Sequence, residues 1–160
     1  MRAVLFCFLP FLFLSGCGIF DLKVAEPPVN VYGDDPLNLG NILSFNTEID
    51  DNVDYAELFT KDVVFEYSSA MTQIQGRDEV LKMLEYLRLQ ASSVDWQMDK
   101  GDRKPEGNLL IYENVPYFVY FEGEMICSGN ADFHIVKNLE WRIKYWKDVP
   151  DDAHTPFFIP

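Results

Sequence analysis

The stretch "LLIYENVPYFVYF", residues 109–121, decides the fold class. It is dense in β-branched and aromatic side chains, so it reads as a strand with Pro116 at a bulge or bend. Glu122-Gly123-Glu124 then forms a turn, and "MICSGNADFHIV" (125–136) and "LEWRIKYW" (139–146) read as two further strands. Strands joined this closely can only pair antiparallel. The last hairpin allows a test of faces. A three-residue connection at Lys137-Asn138-Leu139 sets Asp132 against Lys144 and His134 against Arg142 on one side. On the other side it sets Phe133 against Ile143, Ala131 against Tyr145 and Ile135 against Trp141. Opposite charges then share one face and apolar groups the other, as cross-strand pairing prefers. A two-residue connection mixes the faces, so the three-residue register is expected.

Upstream, "SVDWQM" (93–98) alternates like a strand, and "KGDRKPEGN" (100–108) reads as a polar loop. Before that the period changes from two to between three and four. Asp34-Asp35-Pro36 supplies acidic caps and a proline suited to a first helical turn, followed by Leu39, Ile42, Leu43, Asn46 and Ile49. "VDYAELF" (53–59) is a shorter helical piece and leads into the strand "DVVFEYS" (62–68). Gly76 breaks the chain, Asp78 can cap a third helix, and Val80, Leu81, Leu84 and Leu87 form its buried stripe. Helices followed by consecutive strands predict an α+β domain. No repeat and no second domain is visible.

The N-terminus has a different character. Arg2 precedes an apolar run from Ala3 to Leu14 that contains Pro10, far short of the roughly 20 residues a bilayer-spanning helix needs. A short positive start, a short apolar stretch and small residues after it form the signal-peptide pattern. Leu14-Ser15-Gly16-Cys17 resembles the lipobox of bacterial lipoproteins. That resemblance implies cleavage before Cys17 and acyl chains on Cys17, which together anchor stably where one chain would not. The expected organisation is a lipoprotein signal peptide at 1–16, a lipidated tether at 17–36, a folded domain at 37–149 and a tail at 150–160. Gly18 after the acylated cysteine implies, by the sorting rule of enteric bacteria, the outer membrane with the domain facing the periplasm.

Charge and cysteine content narrow the function classes. The chain carries a net charge of −13, and loss of Arg2 with the signal makes it −14. Nucleic acid is thereby excluded as a partner, because that affinity depends on Lys and Arg neutralising phosphates. Of the three cysteines, Cys7 leaves with the signal and Cys17 is acylated, which leaves Cys127 without a disulfide partner. Cys127 reads as a small buried hydrophobe in preference to a nucleophile. No cofactor motif is present, and neither the two histidines nor the Asp50-Asp51-Asp54 cluster has metal-ligand spacing.

"LFTKDVVFEY" (58–67), "GRDEVLKML" (76–84) and the ending "LEWRIKYWKD" (139–148) resemble the nuclear-transport-factor-2-like superfamily in its SnoaL-like branch. The resemblance covers roughly residues 37 to 149. It implies three N-terminal helices packed on a strongly curved antiparallel sheet that forms a cone. The scaffold hosts isomerases, dehydratases, hydrolases and plain binding domains, so activity must be argued from residues. Where steroid isomerases of the superfamily carry a base carboxylate, an oxyanion tyrosine and a second carboxylate, this chain has Tyr67, Leu43 and Ala131. Proton transfer of that type is not expected.

Three functional readings follow. The first is an anchored binding domain for a small, mostly apolar ligand, lined by Phe65, Tyr67, Trp96, Met98, Phe133, Trp141 and Tyr145. The second is a structural or assembly role in the envelope, with homodimerisation through the sheet's outer face. The third is a dehydratase or hydrolase using Asp132 and His134, two residues apart on one strand face, and it requires that pair to point inward. His154 reads as a tail residue.

Overall fold

The computed structural model describes residues 35–47, 54–68 and 71–152. The signal, Cys17 and the tether up to residue 34, with Ile49 and His154, lie outside the described residues.

Helix α1 spans Leu37–Leu43 and starts behind Pro36, with Asp35 Oδ1 accepting from the Leu37 N–H at 3.0 Å. It buries Leu39, Gly40 and Leu43. The expected stripe breaks off there, because Ser44 is extended and Phe45–Asn46 pairs as strand β1 with Val94 and Ser93. The second expected helix is only a 3-10 turn, Tyr55–Leu58, whose Ala56 N–H is capped by Asp54. Helix α2, Arg77–Gln90, carries Asp78 and Glu79 in its first turn and Arg88 in its last, each sign matching the helix dipole. Gly76 holds the N-cap position at φ 94°, a backbone open mainly to glycine, so Asp78 is not the cap. The inner stripe is Val80, Met83, Leu84 and Leu87, with Leu81 only half-buried. Among the described residues there are thus two α-helices where the resemblance implied three.

The remaining strands are β2 (Phe59–Tyr67), β3 (Thr72–Gln75), β4 (Ser93–Trp96), β5 (Asp102–Glu106), β6 (Leu109–Phe121), β7 (Glu124–Lys137) and β8 (Trp141–Pro150). They form one sheet in the order β1-β4-β6-β7-β8-β2-β3, with β5 beside β6. All pairings described are antiparallel except β2 with β8, which is parallel. Strand β5 occupies the segment expected to be a loop. Every one of its side chains is exposed, so no alternation betrays it, and Pro105 and its charges keep that edge from further pairing.

Bulges set the curvature. In β6, Glu113 and Asn114 stand opposite the single Asp132, and Asn114 takes φ 55°. Its N–H donates to Asp132 Oδ1 and its Nδ2 to Asp102 Oδ2, both at 3.0 Å. The bulge therefore sits two residues before Pro116, which pairs regularly with Asn130. It also flips the inner face of β6 from Leu110 and Tyr112 to Val115, Tyr117 and Val119.

The last hairpin differs from its expected register. Its connection is Asn138-Leu139-Glu140, with Lys137 opposite Trp141 and Ile135 opposite Ile143. A further shift at Lys144 places His134 opposite Tyr145, Phe133 opposite Trp146 and Ala131 opposite Asp148. Alternation alone could not reveal a bulge inside β8. Its effect is large, because past it the inward residues are Trp146, Asp148 and Pro150. The core lies on the concave face, between these side chains and those of α1 and α2.

Candidate ligand site in the aromatic interior

Trp146 occupies the centre of the concave face. Phe65 meets it edge-on at 4.7 Å between ring centroids and Trp96 at 5.3 Å, while Phe133 stacks at 5.8 Å and Phe59 at 6.3 Å. Both geometries suit the ring quadrupoles. Four of the seven sequence-predicted lining residues, Phe65, Tyr67, Trp96 and Phe133, are buried here, the last three from β2, β4 and β7. Met98 is also buried, but over α1, where a Cβ on Gly40 would collide with its side chain.

Trp141 and Tyr145 are placed elsewhere. Trp141 is half-buried, with the Lys137 ammonium 5.2 Å from its ring centre. Tyr145 lies on the outer face, its ring 4.6 Å from His134 and its hydroxyl donating to Glu66 Oε2 at 2.8 Å. Burial and the Glu66 carboxylate raise its phenol above the ordinary value. Asp132 and His134 also face outward: Asp132 accepts from the β6 bulge and stands opposite Lys147, and His134 packs on Tyr145. The inward orientation that the enzymatic reading required is absent.

The residue that sequence reasoning missed is Asp148. It is 0% exposed, the single charged side chain buried among the described residues. Its strand neighbours are the small Ala131 on one side and Tyr67 on the other. Two residues apart on a strand share a face, and Trp146 Nε1 donates to Asp148 Oδ1 at 2.6 Å. Oδ2 has no hydrogen-bond partner. Burial pushes the carboxyl well above the usual range; the Trp146 bond and the nearby Trp96 indole oppose this, and the Asp132 charge adds to it. The Trp96 Nε1–H does not close a hydrogen bond to the carboxyl. A carboxyl with no countercharge in an apolar interior stays protonated.

Two more polar side chains reach this region. The hydroxyl of Tyr117 would lie 2.7 Å from a Cβ on Gly129, and its ring is 6.4 Å from that of Trp96. Burial first, then Asp148 and Cys127, raise the Tyr117 phenol. Cys127 is buried and its thiol is likewise raised by burial. The interior therefore holds a carboxyl, a phenol and a thiol, each shifted by burial toward its uncharged form. In that form each can donate or accept a hydrogen bond. The signal that could have revealed Asp148 is the run Trp146-Lys147-Asp148-Val149-Pro150, whose alternate members all turn inward once the bulge is allowed for.

Two surface hollows lie away from these rings. The larger, about 940 Å³, is formed where β2 departs from β8 and by the β7–β8 turn, and is lined by charged side chains including Lys61, Glu140 and Arg142. Arg142 is held there between Glu57 and Glu140. The smaller lies at the start of α2. Among the described residues no helix is long and apolar enough to cross a membrane, and no cluster of three or more His, Cys, Asp or Glu side chains could hold a metal.

No protein-family model matches the chain, and no curated protein matches it in sequence. Solved structures do match in shape. A protein of unknown function with a cystatin-like fold from Nostoc punctiforme superposes with a TM-score of 0.55 at 12% identity, covering 74% of this chain and 86% of that one. A protein from Parabacteroides distasonis described as a candidate ketosteroid isomerase gives 0.52 at 17% identity, covering 75% and 92%. The chain named Rd1NTF2_05, in a substituted form, gives 0.54 at 13% identity, covering 69% and 90%. At these identities the likeness speaks for architecture alone: the chain has the cone-shaped fold of the nuclear-transport-factor-2-like proteins.

Proposed function

We propose that this chain is a lipid-anchored binding domain that takes a small, mostly apolar ligand into its aromatic interior. The observation that carries the reading is Asp148, a wholly buried carboxyl whose Oδ2 has no partner among rings from four strands. An unsatisfied buried polar group costs stability, on the order of 1 to 3 kcal/mol, and such groups gather at functional sites. A ligand with one polar atom would satisfy it. Because the rings are fully buried and in mutual contact, entry requires them to part, so binding and opening of the cone are coupled. The anchor is Cys17, with acyl chains holding the domain at the bacterial outer membrane facing the periplasm; its support is the Leu14-Ser15-Gly16-Cys17 sequence. The SnoaL-like branch is the finer kinship that the strand and helix sequences favour.

The test is thermal unfolding in the presence of a panel of small apolar compounds. A binder raises the melting temperature with concentration, as linkage demands, and leaves it unchanged in a Trp146→Ala variant. A panel without effect on the wild type would defeat the reading. A second reading, an assembly role in the envelope, is favoured by the apolar side chains left open to solvent, Phe121 and Met125 around the β6–β7 turn and Val149 on the outer face. Self-association with the interior unoccupied would support it instead.

A further inference from the structure

We propose that the charged hollow at the β7–β8 turn, outside the aromatic interior, is a binding site for a small hydroxylated acid carrying one negative charge, of the sugar-acid class. The fold builds this hollow by breaking two ladders at one residue. On one side of β8, Phe59 of β2 pairs with Ile143 and Val64 with Tyr145. On the other side, Ile135 of β7 pairs with Ile143 and His134 with Tyr145. Lys144 therefore has a partner in neither neighbouring strand, and Thr60 to Val63 of β2 run past it without pairing to β8. Such irregularities re-aim side chains and gather beside functional sites. Here they bring Lys144 from β8, with Lys61 and Asp62 from β2, to the wall of one hollow of about 940 Å³. Small-molecule sites have that size.

The chain is strongly acidic, yet four of its 13 Lys and Arg residues line this place: Lys61, Lys137, Arg142 and Lys144. Lys61 and Lys144 form no ion pair among the described residues. Arg142 does, with Glu57 from the 3-10 turn and Glu140 from the hairpin, but both carboxylates meet the same nitrogen, Nη2. That grip fixes the guanidinium and leaves its Nη1 and Nε without partners among the described residues, able to donate to a ligand carboxylate. The wall also limits the charge it accepts. Glu57, Asp62 and Glu140 stand among the four cations, so the described wall carries one net positive charge. One carboxylate matches it, whereas a polyanion would meet three carboxylates at close range. The uncharged polar groups of the wall are the Asn108 and Asn138 amides and the Thr60 hydroxyl. Together with the acceptor carboxylates they suit ligand hydroxyls. No aromatic ring stands among the described residues of this wall to hold a hydrocarbon body.

Three probes decide the class: D-glucuronate, the neutral D-glucose and the multiply charged citrate. Each is titrated calorimetrically, at one low ionic strength, into the full chain in nonionic detergent and into the variants Lys144→Gln and Lys100→Gln. Lys144 is exposed and unpaired in the sheet, so its replacement leaves the core alone. Lys100 is exposed in the 3-10 turn before β5 and lines neither hollow, so its replacement removes the same charge elsewhere. The expected result is that wild type binds glucuronate roughly tenfold more tightly than glucose, about the size of one hydrogen bond to a charged group, and more tightly than citrate. Lys144→Gln loses most of that preference and Lys100→Gln keeps it. Glucuronate bound no better than glucose, or citrate bound tightest, would overturn the inference. So would a preference that survives in Lys144→Gln, or one lost equally in Lys100→Gln.

Discussion

At the residue scale, Asp148 couples the chemistry of the interior to pH. Its folded-state carboxyl titrates well above the ordinary value because burial disfavours the charge. In the unfolded chain it loses its proton near pH 4. Between those two points the unfolded state binds fewer protons than the folded one, so stability falls as pH rises, and below pH 4 this ionisation penalty is absent. Asp148→Asn removes that dependence. Denaturant midpoints measured for both proteins from pH 4 to pH 8 should show the variant gaining on the wild type with pH, by at most about 1.4 kcal/mol per unit. A constant difference would mean the carboxyl is not buried uncharged. Cys127 gives a second residue-level test. A buried thiol raised by its surroundings should resist a thiol reagent at neutral pH in the native protein and react at once in denaturant. Fast native labelling would place it at the surface.

At the scale of the elements, bulges govern which side chains turn inward. Gly129 in β7 shows how little room the resulting curvature leaves: a Cβ there would collide with the Val149 carbonyl of β8 and the Tyr117 hydroxyl. Gly129→Ala should therefore destabilise by about 1 to 3 kcal/mol in chemical denaturation, because backbone and a packed ring cannot move cheaply. An unchanged midpoint would mean that β7 and β8 separate readily at this point. The same element explains the limits of sequence reading. The helix-then-strand order, the long strands and the Glu122–Gly123 turn were legible, because periodicity and turn chemistry act locally. The inward ring set was half legible: Phe65, Tyr67, Trp96 and Phe133 follow from alternation along unbroken strand segments. Trp146 and Asp148 were hidden by an inserted residue at Lys144 that reverses the face, and Tyr145 was assigned inward for the same reason. β5 was hidden because a strand exposed on both faces has no apolar pattern. The 3-10 turn at Tyr55 looked like a helix because its apolar spacing is the same over one turn.

At the scale of the whole molecule, one sheet curls around one aromatic core, and charge spreads over the outside. A chain carrying −13 repels itself, so moderate salt should raise its melting temperature by screening, most steeply below about 0.1 M. A melting temperature indifferent to salt would mean the acidic groups are already paired. The same architecture ties function to opening: the rings that would grip a ligand are those that hold the cone shut. The most direct measurement is native mass spectrometry of the full chain, released from detergent after gentle purification from a bacterial host and after exposure to a panel of small apolar compounds. The account predicts a discrete added mass on the folded protein that disappears in Trp146→Ala. A polypeptide mass unchanged across every compound would contradict it, and would leave the cone as a packed scaffold whose partners meet its outer face.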